Sequence, residues 1–174
     1  MKRLAGFTLI ELLVVIAIIG ILASVVLASL ADAREDALAA KVISELRQTR
    51  TAMELLYNDT GLYPHKQNRY CPPEDQPNNE ISLAEPAAGL VATDGTYANW
   101  SGPYISNVTD PWGNPYVLDE DYQCTAGALG CGGVADVGTD SSVLVSCGPD
   151  GDITGSGDAC VYNDDNIVLV MCKK

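Results

Sequence analysis

The chain opens with an apolar run broken by very few polar positions. From Leu12 to Ala31 the only polar side chains are Ser24 and Ser29. A helix over that stretch is long enough to cross a hydrocarbon core of about 30 Å. The pattern then changes without a break. Residues 32–58 contain neither Gly nor Pro, and Leu38, Val42, Leu46, Thr49, Met53 and Leu56 recur every three or four positions. Arg47, Gln48, Arg50 and Thr51 fall off that stripe. This is the spacing of an amphipathic helix. One helix from Phe7 to about Asn58 is predicted, its first half apolar all round and its second half apolar on one face.

Beyond it the punctuation is dense. Asp59-Thr60-Gly61-Leu62-Tyr63-Pro64 supplies the breakers that end the helix. Residues 64–80 read as a polar, Pro-rich loop, and Glu80 to Ala92 as a short helix around Pro86. Asp110-Pro111-Trp112-Gly113-Asn114-Pro115 is a turn cluster, followed by a strand from Tyr116 to Leu118. Ser142–Ser146 and Asn166–Met171 are apolar, β-branched runs expected to be strands. The predicted fold is α+β: one long N-terminal helix packed on a small antiparallel sheet, with a Cys-rich, loop-rich C-terminal part.

The most unusual residue is Glu11, a carboxylate at the head of the apolar run. A charge at the centre of such a helix costs roughly 2.5–3.5 kcal/mol, and ionisable residues in a span are functional candidates by default. A secretory signal is the simplest alternative, with Lys2 and Arg3 as its basic part, but its apolar region would be ~7–15 residues, shorter than this one. Lys2 and Arg3 place the N-terminus in the cytoplasm and the following domain outside. Removing Lys2, Arg3 and Glu11 from the totals of 10 basic and 23 acidic residues leaves 8 and 22 for residues 32–174, a net of −14. So acidic a domain argues against nucleic acid as a partner, since that affinity comes largely from Lys and Arg on phosphates.

Cys71, Cys124, Cys131, Cys147, Cys160 and Cys172 all lie in the exported part. An even count in an oxidising compartment reads as disulfides, with the pairing open. Enzymatic readings find little support: His65 is the only histidine, expected as an exposed loop residue, and no nucleophile–base arrangement can be built around it. Asp119-Glu120-Asp121 reads as a solvated charge run. Trp100, Trp112, Tyr104 and Tyr116 read as core and turn packing.

Gly6-Phe7-Thr8-Leu9-Ile10-Glu11 before the apolar run resembles the processing site of type IV pilins and of the pseudopilins of type II secretion. The resemblance implies cleavage by prepilin peptidase between Gly6 and Phe7 and N-methylation of Phe7. It makes Glu11 the carboxylate that meets a neighbouring subunit's N-terminal amine during assembly. The chain then divides into a leader (1–6), a transmembrane and filament-core half helix (7–31) and an exported globular domain (32–174). Type IV pilins commonly carry proline where this chain has Ala28. Tyr57-Asn-Asp-Thr-Gly61-Leu-Tyr-Pro64, Trp100-Ser-Gly-Pro-Tyr104 and Asp110-Pro-Trp-Gly-Asn-Pro-Tyr116 are similar to motifs of the major pseudopilin of type II secretion. The Cys-rich insert around 119–133 and the long acidic C-terminal loop depart from it.

That resemblance implies a non-enzymatic subunit of a homo-oligomeric filament, held in the bacterial inner membrane by lipid before assembly and handled by inner-membrane assembly machinery. The alternatives are a type IV pilus subunit for adhesion or motility, or a membrane-anchored surface binding module. It also implies Ca2+ in the last loop. Asp150 matches the family's Gly-x-Asp-Gly aspartate, Asp164 or Asp165 a later one, and Ser146 is a further candidate. Asp152 and Asp158 enter by spacing alone, since Asp150-x-Asp152-x-Thr154-Gly155 places oxygens at alternate positions before a glycine. A solvated acidic loop pinned by Cys147 and Cys160 is the alternative.

Overall fold

The computed structural model describes residues 8–67, 81–122, 141–151 and 166–173. Its one long element is α1, Leu9–Thr60, a helix of 52 residues. It runs unbroken through Gly20 and Ala28. Ser24 and Ser29, the polar residues of the apolar half, donate their hydroxyls to the carbonyls of Ile21 (2.7 Å) and Val25 (3.1 Å). Neither needs a partner from outside the helix. The C-terminus is closed by Gly61 at φ 73°, whose N–H reaches the Tyr57 carbonyl at 2.7 Å. Only glycine enters that left-handed conformation without steric cost.

The chain forms two compact units, Met1–Leu38 and Ala39–Lys174. In the first, the large apolar side chains of α1 from Leu9 to Leu30 are exposed, and the helix is long and apolar enough to cross a membrane.

In the second, α1 buries Val42, Leu46, Thr49, Ala52, Met53 and Leu56. This is the expected stripe with Ala52 added and Leu38, which is only half-buried, left out, while Arg47, Gln48, Arg50 and Thr51 stay exposed. Four antiparallel strands lie in chain order, β1 (Ile81–Ser82), β2 (Val117–Tyr122), β3 (Ser141–Ser146) and β4 (Ile167–Lys173). Val117 pairs with Val145 and Leu118 with Leu144 across β2 and β3, and Leu144 pairs with Leu169 across β3 and β4. Leu118, Leu144 and Ile167 join the helix stripe in the main core. Val117, Val143, Val145, Val168 and Cys147 form a second buried cluster. The alternation of strand side chains divides the two sets, so both faces of the sheet are covered.

Three expectations are corrected. Glu80 to Ala92 is not a helix: Ile81–Ser82 pairs with β2, and the helical turn is a 3-10 turn at Pro86–Ala88, ended by Gly89 at φ 76°. Pro86 removes one donor, and Gly89 three residues later stops propagation. Asp119 and Glu120 are not a solvated run; they are buried in β2, where Asp119 pairs with Val143 of β3, and both are engaged in polar or electrostatic contacts. His65 is half-buried in a 3-10 turn, Pro64–Lys66, with φ 54°. Tyr97 holds that turn, accepting the Lys66 N–H at 3.2 Å and donating to the Ala87 carbonyl at 3.0 Å.

Cys147 and Cys172 are both disulfide-bonded. Cys172 stands opposite Ser142 and Cys147 follows Ser146, so they lie about 15 Å apart along the hairpin, too far to bridge each other. Cys71, Cys124, Cys131 and Cys160 lie outside the described residues.

Candidate functional site

The head of α1 is built by one short motif. Thr8 precedes the helix and Glu11 sits in its first turn. The Glu11 carboxylate reaches back, and its Oε2 accepts both the Thr8 N–H and the Thr8 hydroxyl at 2.8 Å. The Thr8 Oγ1 in turn accepts the Glu11 N–H at 3.3 Å. This is a capping box, in which the side chains at the two ends of the first turn satisfy each other's backbone donors. The Thr-x-x-Glu signature was there to be read, yet sequence reasoning fixed on the charge of Glu11 and passed over Thr8.

Two consequences follow for chemistry. Glu11 is held in one direction, and both bonds fall on Oε2; among the described residues Oε1 has no partner. The carboxylate also sits beside Ile10, Val14 and Val15 on an apolar shelf. A fixed anion with a spare acceptor at the edge of apolar surface suits one cationic donor. Gly6 and Phe7 lie outside the described residues.

The second candidate site lies at the end of β3. Ser146 is buried, and Asp150 is exposed in the turn Ser146–Gly151. Glycines at 148 (φ 71°) and 151 (φ 60°) give that turn its curvature. Asp152, Asp158, Asp164 and Asp165 lie outside the described residues. Among the described residues no group of three His, Cys, Asp or Glu side chains could hold a metal ion. The described part offers a cation one exposed carboxylate and the backbone carbonyls of a glycine-bearing turn. Those oxygens suit a hard cation such as Ca2+. The Ser146 hydroxyl, however, already donates to Asp110 Oδ2 at 2.7 Å and accepts the Gly148 N–H at 3.3 Å.

Asp110, which sequence reasoning placed only in a turn, is nearly buried and takes three donors: the N–H groups of Trp112 (3.0 Å) and Asn114 (2.8 Å) on Oδ1 and the Ser146 hydroxyl on Oδ2. The only signal available was an Asp opening a Pro-Trp-Gly-Asn turn, the place for a carboxylate that bonds its own backbone.

The aromatic and turn motifs elsewhere are structural. Asp59, at the C-terminal end of α1 where the helix dipole disfavours an anion, is held by the hydroxyls of Ser101 and Tyr104. Those bonds keep its carboxyl below the usual carboxylate range. Trp100 donates its indole N–H to the Gly89 carbonyl at 2.7 Å.

One long unbroken helix, apolar at its start and headed by a fixed carboxylate, together with a four-stranded antiparallel sheet defines a type IV pilin-like protein. Residues 1–27 match the family described as the prokaryotic N-terminal methylation motif. The chain is 33% identical over 118 residues to the type II secretion system core protein G of Aeromonas hydrophila, covering 67% of this chain and 73% of that protein. Against the protein of the same name from Klebsiella pneumoniae it is 34% identical over 119 residues, covering 68% and 76%. The chain belongs to the family of the type II secretion system core protein G. A probable minor fimbrial protein of Dichelobacter nodosus is 34% identical over 96 residues, covering 55% and 60%. No solved structure matches.

Proposed function

We propose that this chain is the major structural subunit of a type II secretion pseudopilus, without catalytic activity. Prepilin peptidase cleaves it between Gly6 and Phe7, and Phe7 is N-methylated. Inner-membrane machinery then draws it from the lipid into a homo-oligomeric helical filament. Lys2 and Arg3 leave the N-terminus in the cytoplasm and the acidic domain on the far side of the membrane. The observation that carries this reading is the capped Glu11. Its open Oε1 is the acceptor for the Phe7 amine of the neighbouring subunit, while the exposed Leu, Ile and Val of α1 exchange lipid for neighbouring helices.

The same residues support the function from the domain side. Disulfides at Cys147 and Cys172 suit an oxidising compartment, and the last loop takes Ca2+ through Asp150 with Asp152, Asp164 or Asp165. When bound, the ion would offset repulsion among those carboxylates. The fimbrial relatives favour one second reading, a subunit of a type IV pilus.

Glu11→Ala tests the central step. The variant should insert into the membrane and be cleaved after Gly6 at wild-type levels, yet yield at least tenfold fewer filaments by shearing and electron microscopy. Filaments at wild-type abundance from that variant would remove the mechanism.

A further inference from the structure

The turn that carries Asp150 is not shaped by its own residues alone. Gly148 and Gly151 both sit at positive φ, a conformation in which glycine has lost much freedom and gains nothing from a side chain. What fixes them comes from 36 residues earlier in the chain. Asp110 and Asn114 first fold their own turn: the Asp110 N–H meets the Asn114 carbonyl at 2.8 Å and the Gly113 N–H meets the Asp110 carbonyl at 3.1 Å. Both side chains then cross to the second turn. Asp110 Oδ2 takes the Ser146 hydroxyl, and Ser146 Oγ takes the Gly148 N–H. The Asn114 amide donates to the Gly148 carbonyl at 3.0 Å. It also lies so close to Gly151 that a Cβ there would stand 2.6 Å from Asn114 Oδ1.

We propose that Asp110 and Asn114 are positioning residues which hold the Ser146–Gly151 turn in its cation-accepting shape before any cation arrives. The inference rests on the calcium reading for the purpose of the turn, though the clamp itself does not need the ion. Asp110 is nearly buried and gives both carboxylate oxygens to protein donors, so it acts through Ser146 and not as a ligand. A carboxylate there is tolerated because three donors surround it. Pre-shaping the turn reduces the ordering cost a cation would otherwise meet. Residues in this outer position typically change metal affinity by about 10–100-fold.

The test uses the full chain in detergent micelles. Hydrogen–deuterium exchange of residues 146–151 is measured without calcium, and calcium affinity is measured by calorimetry. Asp110→Ala should raise exchange in that segment at least tenfold and weaken calcium binding by about 10–100-fold. Asp110→Asn should restore both to within about threefold, because its carbonyl keeps the two N–H donors and its amide can donate to Ser146 Oγ. Asp150→Ala should abolish calcium binding. Wild-type exchange in Asp110→Ala overturns the proposal, as does an Asp110→Asn variant as impaired as Asp110→Ala. A wild-type chain that ignores calcium while Asp110→Ala still loosens the turn sinks the calcium reading and leaves the clamp standing. If Asp110→Ala loosens the whole domain, Asn114→Ala is read in its place: it must raise exchange at 146–151 alone, and unchanged exchange there overturns the clamp.

Discussion

The tie between helix and sheet can be weighed by removing one hydroxyl. Tyr116 is almost fully buried, and its phenol donates to Glu45 Oε2 at 2.5 Å. Glu45 keeps a second, looser contact with Lys41 at 3.6 Å. A hydrogen bond to a charged group contributes roughly 1.5–3 kcal/mol, and the partial exposure of Glu45 lowers that toward the bottom of the range. Tyr116→Phe should therefore cost about 1–2 kcal/mol. Glu45→Ala should cost about 1–3 kcal/mol, because it leaves a buried hydroxyl without an acceptor. The pair should couple by about 1.5 kcal/mol in a double-mutant cycle, which moves Tm by roughly 5 °C in a domain of this size. The assay is urea unfolding of the full chain in detergent, followed by fluorescence of Trp100 and Trp112. Burial and the Glu45 carboxylate both raise the Tyr116 pKa. Its contribution is therefore complete below about pH 10 and declines only above that; the coupling should be flat between about pH 6 and 9. A coupling below about 0.3 kcal/mol in that range would refute the assignment of this bond as the tie.

Two further outcomes are expected. Gly89→Ala should destabilise the domain by about 2–4 kcal/mol: at φ 76° a Cβ is strained, and it would lie 2.8 Å from the Tyr97 ring that anchors the Pro64–Lys66 turn. A urea midpoint within error of wild type would contradict this. His65 should make stability fall with acid: burial first, and Lys66 after it, pull its pKa down against the carboxylates of Glu85 and Asp94, so only the unfolded chain gains a proton as pH drops through about 6.5. The urea midpoint should decline from pH 7.5 to pH 5, and His65→Asn, which tolerates the left-handed backbone, should flatten that slope; an unchanged slope would assign the loss to other groups.

What the sequence made legible follows the range of the forces involved. The helix stripe, the strands at Ser142–Ser146 and Asn166–Met171, and the stop at Gly61 are set by periodicity and local breakers, and the structure has them within two residues. Ile81–Ser82 was illegible because a two-residue strand has no period; it exists only through its pairing with β2. Asp119 and Glu120 misled for a related reason. A charge run is solvated by default, but here it lies inside a strand paired with β3, and burial is decided by sheet position. The Asp110–Ser146 bond spans a separation that no local pattern encodes.

The two compact units also differ in where their side chains find partners. In Ala39–Lys174 the described large apolar residues are mostly buried against one another, and Asp110, Glu45 and Asp59 take hydrogen bonds from the same unit. In Met1–Leu38 the described apolar side chains have no such cover, with Leu9 86% and Ile21 67% exposed; their burial must be supplied from outside the chain, by lipid or by other helices. The stability of the domain and the free energy of assembly are thus set by separate residues. Glu11→Ala should leave the urea midpoint of the domain untouched, and Tyr116→Phe should shift it while still giving filaments at temperatures where the domain is folded. A Glu11 substitution that lowered the domain's midpoint would show that assembly and folding share residues after all.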